Sequence, residues 1–309
     1  MDAFEMAEST GPIDDQRREN IAVYTSAERD REFPTELWQM VHSGGCETKP
    51  SIEAILAEIG NLREAVHPLA LFKKLPTNTL YHLSKYFALR GGGYPLQRMS
   101  LGGLCMIEEA SAKIVRGALE GALLSSYGNM DNIDNRLAFT KMGLVRSQEN
   151  KNGVTPSAGA ASLFLEPISN VADRGARPLA IINRVRSRFH DQMHAQRHDW
   201  FDFYRHAFPD LAGTSPIVVR YDNGIIEAGE AELAAIEQFF DRPTTFAYKR
   251  FTGYTGQPNN LIDLVLSLFD PAVPSERPIV LNGIGSSSGI GALLFEKCAP
   301  TVPVTTKAA

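Results

Sequence analysis

The sequence predicts an α/β protein of layered strands and helices, and three observations carry that reading. Short apolar runs of strand length alternate with runs whose apolar residues recur at three- and four-residue spacing, along most of the chain. With 309 residues, 43% of them hydrophobic and 22% charged, the chain can bury a large core or two ordinary ones. The stretch from Leu89 to Gly103 places three glycines, a short partly apolar run, Ser100 and then a helical pattern in that order, which reads as turn, strand, elbow and helix. An elbow of this kind exposes one side chain at a helix N-terminus, where unpaired N–H groups favour developing negative charge. Ser100 sits there as a candidate nucleophile or as a helix cap.

Taken in order, residues 1–19 are polar and predict a ragged terminus, and Asn20 to Thr25 (Asn-Ile-Ala-Val-Tyr-Thr) reads as a first strand. Helical spacing predicts helices over Thr35 to Val41, over Ser51 to Ile59 with Ser51 as cap, and over Pro76 to Leu89. The amphipathic run after Ser100 closes at Arg116-Gly117. Gly121 to Ser126 and Ala160 to Glu166 are short apolar runs bounded by turn residues and suit buried strands. The second half repeats the rhythm. Arg177 to Ile182 and Ser215 to Tyr221 are strand-like, a polar helix is expected through Phe203, and Ala231 to Phe240 and Leu261 to Phe269 are helical. Phe246 to Phe251 reads as extended and Pro278 to Asn282 as a last strand.

Charge and special residues narrow the function. A net charge of −5 argues against nucleic acid as the main partner, because phosphate neutralisation needs a basic surface. The basic groups Lys73-Lys74 and Arg184/Arg186/Arg188 are small and suit a solvated face or an acidic partner. Cys46, Cys105 and Cys298 are too far apart for a CxxC site, which predicts a reducing, cytoplasmic setting without structural disulfides or zinc. The N-terminal residues lack the order of a signal peptide, and no apolar run is long enough to span a bilayer. His190, His194 and His198 would share one face of a helix, but the run around them is polar and lacks a further ligand, so a solvated helix is expected rather than a metal site. The glycines from Gly283 to Gly291 follow a strand as in a dinucleotide turn. Only 18 residues remain after Gly291, too few for the βαβ unit such a site needs, so a terminal hairpin or crossing loop is expected and no cofactor.

Four landmarks fall in one order over residues 20–297: Leu89-Arg-Gly-Gly, Ala172-Asp-Arg-Gly-Ala-Arg177, Lys249-Arg-Phe-Thr-Gly-Tyr-Thr255 and Asn282-Gly-Ile-Gly285. In order and approximate spacing the chain resembles the β-ketoacyl synthases of the thiolase-like fold. The resemblance implies a layered αβαβα architecture with an N-terminal half over 20–176, shortened because the strand at Ile21 matches an interior strand of the family. A C-terminal half over 177–297 and a tail over 298–309 complete the expected organisation. It also implies a substrate carried on acyl carrier protein.

Transferred position by position, the resemblance puts Ser100 where the family has its cysteine nucleophile, Asn223 at the first histidine and Tyr254 at the second, and retains Lys249. The loop that gates the pocket in the family falls on Gly285 and Ser286, and segments Thr77 to Phe87 and Asn129 to Met142 become candidates for lining an elongation tunnel. Condensation needs a thiolate and two imidazoles, and all three are replaced. The chain therefore resembles the chain-length factor, the non-condensing partner of a complete ketosynthase in a heterodimeric type II polyketide synthase, with a role in shaping the polyketide or polyene tunnel. The alternative is an acyltransferase or hydrolase using Ser100 with a base brought near by the fold, His82 being the histidine closest in sequence. A dinucleotide-dependent reductase is disfavoured by the position of its glycines.

Overall fold

The computed structural model describes residues 3–28, 75–189, 194–275, 277–285 and 289–298. The helices expected at Thr35 and Ser51, together with Cys46, His190, Lys73-Lys74 and Ser286, lie outside the described residues.

Two sheets and three helical layers make up the described chain. The first sheet holds β1 (Ile21–Ala27), β2 (Gly121–Asn129) and β3 (Ala158–Leu165), with β1 parallel and β3 antiparallel to β2. The second holds β4 (Ala180–Arg188), β5 (Ile217–Val219), β6 (Thr244–Phe246), β7 (Ile279–Gly285) and β8 (Gly289–Lys297) in the order β4-β8-β7-β5-β6. The two-residue period of a strand sorts their side chains. In β1 and β2, Ala22, Tyr24, Ala122 and Leu124 face a central layer of α4 (Gly102–Val115) and α10 (Asn259–Phe269), where Leu104, Ile107, Leu261 and Leu264 are buried. From the other side, Ile217, Val219, Ile279, Leu281, Leu293 and Phe295 of the second sheet close on the same layer.

The alternate residues face outward. Ile21, Val23 and Leu123 pack with Phe4, Ile13, Phe87 and Leu89, beneath α1 (Ala3–Thr10) and α3 (Thr77–Tyr86). Val218, Val280, Ala292 and Leu294 pack with Trp200, Phe203 and Tyr204 of α7 (Arg197–Ala207) and Ala235, Ile236 and Phe239 of α8 (Ile226–Phe239). The result is helix, sheet, helix, sheet, helix, the αβαβα layering expected. Each fully buried large apolar side chain contributes about 1.5–3 kcal/mol. The short helices α2 (Asp15–Arg18), α5 (Ile133–Lys141), α6 (Ile168–Asp173) and α9 (Lys249–Thr252) complete the set.

Several expectations need correction. Residues 3–18 are not ragged: Phe4 is fully buried between Phe87 and Phe164, and Arg174, itself paired with Glu166, ties down the carbonyls of Ala7 and Gly11. Polarity hid one anchoring aromatic. The strand beginning before Ile182 runs on to Arg188 instead of giving way to a helix, and α7 begins only at Arg197. His194 therefore lies before that helix and His198 within it, so they do not share a helical face. Phe246 to Phe251 is not continuous strand, since β6 ends at Phe246 and α9 starts at Lys249. The glycine-rich C-terminal run does form a hairpin, β7 pairing antiparallel with β8 from Ile279↔Phe295 to Gly285↔Gly289.

Candidate functional site

Ser100 reaches the centre of the molecule through the turn that precedes it. Residues 91–96 run beside the free edge of β1, with Gly91 N–H donating to Ile21 O at 2.9 Å, Val23 N–H to Gly92 O at 2.9 Å and Leu96 N–H to Thr25 O at 2.7 Å. Gly93, at φ +117°, lies against the Val23 carbonyl where a Cβ has no room. Met99 then takes φ +49°, the sharp point of the elbow, and a single 3₁₀ turn over Met99–Leu101 leads into α4. This turn packs against β7, α10 and β8, so Ser100 lies between the sheets at 1% exposure.

Two tyrosines bring their hydroxyls to Ser100, and α10 and α9 back them. The backbone of Tyr254 is held by Thr155 and Ser157, its N–H donating to Thr155 O at 2.7 Å and its carbonyl accepting from Ser157 N–H at 3.0 Å. Its ring stands edge-on to Phe139 of α5 at 5.9 Å, and its hydroxyl meets the Ser100 hydroxyl at 2.7 Å. Tyr221 enters just past the C-terminal end of β5. Its hydroxyl interacts with Ser100 as well and accepts from Asn259 Nδ2 at 3.5 Å. Asn259 in turn accepts from the N–H and the hydroxyl of Thr255. Four residues along the same face of α10, Asp263 forms an ion pair with Lys249 of α9, both side chains 1% exposed. The Lys249 ammonium lies 4.3 Å from the centroid of the Tyr221 ring.

The electrostatics of this cluster favour neutral groups. Burial, partly offset by the Ser100 hydrogen bond, pushes the Tyr254 phenol up to about 12, and burial raises Tyr221 well above the ordinary phenol value. Both keep their protons at neutral pH and can donate as well as accept. Burial also raises Asp263 despite the neighbouring Lys249. The Cys105 thiol, at the fourth residue of α4, is raised by burial and packs against the core.

The expected site residues separate into two groups. Ser100, Tyr254 and Lys249 belong to one cluster. Asn223 is used locally, its Oδ1 accepting from Ile225 N–H at 3.2 Å ahead of α8, and no described contact joins it to Ser100. Tyr221, two residues earlier, brings a polar group to the cluster instead; its place just beyond a parallel strand was the available signal. Gly285 ends β7, the strand that backs the Ser100 turn. His82 is exposed on α3, whose Leu80 and Leu83 pack on the outer face of the first sheet, so that sheet separates it from Ser100. The segment Thr77 to Phe87 stands in that same outer layer, whereas Asn129 to Met142 reaches Tyr254 through Phe139. Among the described residues no three His, Cys, Asp or Glu side chains are grouped to hold a metal, and no helix is long and apolar enough to cross a membrane.

No protein-family model and no curated protein matches the chain. Solved structures do, ketosynthases among them. The ketosynthase of module 6 of the bacillaene synthase of Bacillus subtilis 168 aligns at 12% identity and a TM-score of 0.69, over 92% of this chain and 54% of its own. A β-ketoacyl synthase from Burkholderia phymatum STM815 aligns at 15% identity and 0.68, over 92% of this chain and 76% of its own. A type II polyketide synthase ketosynthase, solved with its acyl-carrier protein and bound to the hexaketide, gives 15% identity and 0.67, over 95% and 81%. The chain therefore has the thiolase-like fold of the ketosynthases, and it spans little more than half the length of the bacillaene enzyme.

Proposed function

We propose that the chain is a non-condensing, ketosynthase-like subunit, a chain-length factor that pairs with a complete ketosynthase and helps shape the tunnel in which a carrier-bound polyketide or polyene is extended. The observation that carries this reading is the state of the nucleophile position: a serine at 1% exposure whose hydroxyl is hydrogen-bonded to a tyrosine with its phenol pushed up to about 12. Decarboxylative condensation needs an accessible thiolate and groups that stabilise an enolate and an oxyanion. Here the hydroxyl is covered, its partners are protonated phenols, and Lys249 is neutralised by Asp263. The fold shared with a ketosynthase solved with its acyl-carrier protein supports carrier-borne chemistry as the setting. Within the fold, α5 supports the tunnel role best, since Phe139 touches Tyr254 while Ile133 and Leu137 remain exposed for a partner to cover.

One observation favours the second reading, an acyltransferase or hydrolase acting through Ser100. The 2.7 Å contact to Tyr254 has the reach of a nucleophile and its base. A base must give up its proton near working pH, and Tyr254 holds its own far above it.

The test is product formation by the reconstituted complex of this chain with a complete ketosynthase and a loaded acyl carrier protein, together with the intact mass of this chain. Ser100→Ala is expected to leave turnover nearly intact, Ser100→Cys to add no condensing activity, and the chain to carry no acyl adduct. An adduct on the wild-type chain that disappears in Ser100→Ala, with turnover collapsing toward the roughly 10⁶-fold loss seen when a covalent catalyst loses its nucleophile, establishes the acyltransferase instead.

A further inference from the structure

We propose that the groove between β4 and α7 binds a phosphate group carried on an apolar stem. The site is separate from Ser100 and requires neither a partner subunit nor catalysis there.

The placement of three arginines depends on one extra residue. In β4, Ile182 pairs with Phe295 and Arg184 with the next residue, Leu294, leaving Asn183 as a bulge. Before the bulge Ala180 and Ile182 pack into the central core, and after it Val185 does. Unbroken alternation would have turned Arg184, Arg186 and Arg188 inward with Ile182; the bulge turns all three to the outer face, beside α7.

Only the first of the three is neutralised. Arg184 donates to Asp210 Oδ1 at 2.6 Å and to Ala207 O at 3.0 Å, and its guanidinium lies 5.7 Å from the Phe208 ring centroid. Arg186 donates to its neighbour's carbonyl, Val185 O, at 2.8 Å, and neither Arg186 nor Arg188 meets an acidic group among the described residues. The carboxylate below this end of the strand, Glu108, is occupied from the inner side by the hydroxyl and N–H of Ser187. In a chain of net charge −5, two exposed guanidiniums two residues apart on one strand face, without an acidic partner among the described residues, form a local cationic site.

The groove has a volume of about 350 Å³ and is lined by Arg186, Ser187, Arg188, Phe203, His206 and Ala207. His206 Nδ1 is engaged with Asp202 O at 2.6 Å, which leaves Nε2 as the ring atom open to a ligand. The buried edge of Phe203 and the Ala207 methyl give it an apolar floor. Two planar guanidiniums match the oxygens of a dianionic phosphate and its charge, and the floor accepts the organic group attached to it.

The experiment is calorimetric titration of the full chain with phenyl phosphate, inorganic phosphate and phenol. Phenyl phosphate is expected to bind, inorganic phosphate to bind more weakly, and phenol to give no measurable heat. The double variant Arg186→Gln, Arg188→Gln is expected to weaken phenyl phosphate binding at least about ten-fold. Arg116→Gln, at the far end of α4, is expected to leave it unchanged. Both arginines are exposed, so the double variant should keep the wild-type unfolding midpoint, and each single variant should give an intermediate loss. Absence of binding at millimolar phenyl phosphate, equal binding by wild type and double variant, or equal binding of phenyl phosphate and inorganic phosphate overturns the proposal.

Discussion

Replacing Lys249 with methionine should destabilise the chain more than almost any other single change near Ser100, and the loss should be reversible by a second substitution. Lys249 and Asp263 are each 1% exposed and paired with one another, and Asp263 Oδ1 has no hydrogen-bond partner. Methionine preserves the packing of the lysine stem over Tyr221 but leaves a carboxylate stranded in the core. Removing one member of a buried pair costs about 3–5 kcal/mol. At about 2.1 cal/mol/K per residue of unfolding entropy, that is a fall of roughly 5–8 °C in Tm for a chain of this length. Asp263 also fixes the pH dependence. Its folded pKa is raised above the unfolded value, so its favourable contribution is present in acid and is lost as pH rises through the folded value. Without Lys249 that rise is larger, and the deficit of Lys249→Met should shrink on acidification toward the ordinary carboxylate range. The double variant Lys249→Met, Asp263→Leu should recover most of the loss, because a well-packed apolar pair replaces two desolvated charges. Thermal unfolding followed by circular dichroism across pH makes the measurement. A double variant as unstable as the single, or a deficit independent of pH, would refute the reasoning.

The remaining expectations concern the same core. Gly102→Ala should cost about 1–3 kcal/mol, because the new Cβ falls against the buried, hydrogen-bonded pair Ser26 and Gln257, 2.6 Å from Gln257 Oε1; chemical denaturation measures it, and an unchanged midpoint rules out the close contact. Met99→Val should cost roughly 1–2 kcal/mol, since a β-branched residue fits φ +49° poorly, while Met99→Gly should match or exceed the wild type, little packing being lost at 52% exposure. Glu232 is fully buried, accepts from the N–H groups of Tyr221 and Asp222 and from Asn282, and is raised by burial. Its charged form is thus the disfavoured one in the fold, so the stability of Glu232→Gln relative to wild type should improve as pH rises from acid to neutral; a difference that moves the other way excludes a raised Glu232.

Ser100 and its elbow were legible because local chemistry specifies them. Gly93 has no room for a side chain, Gly102 begins a helix under a packed polar pair, and amphipathic spacing continues to Val115; the strand expected before the elbow is reduced to a single bridge between Pro95 and Thr25, and Ser100 does not cap α4. The glycine-rich run from Gly283 to Gly291 forms the hairpin expected, β8 returning along β7. Three features were not readable. Phe4 anchors an otherwise polar terminus through contacts with residues more than 80 positions away. The polar run from Asn183 to Arg188 looks helical or solvated, yet it is a strand, because pairing with the buried apolar stretch Ile290 to Leu294 of β8 overrides its composition. A one-residue bulge within it reverses the faces and leaves no composition signal at all.

The replacement of Asn223 by Tyr221 at the candidate site has a chemical consequence that motif spacing could not carry. Asparagine in that place would have offered an exposed amide on a loop; a tyrosine two residues closer to the strand offers a hydroxyl already fixed by Asn259 and flanked by Lys249. Ser100, Tyr254 and Tyr221 thereby form a set of hydroxyl groups, each able to donate and to accept, with Ser100 meeting Tyr254 at 2.7 Å and interacting with Tyr221, beside the Lys249–Asp263 ion pair. Such a set satisfies its own hydrogen bonds without water or substrate, and burial keeps every proton in place. In a catalytic site the polar groups must be poised for charge that appears only in the transition state. Here they are hydrogen-bonded to one another in the resting state, and these contacts tie the Ser100 turn to the end of β5 and, through Asn259, to α10.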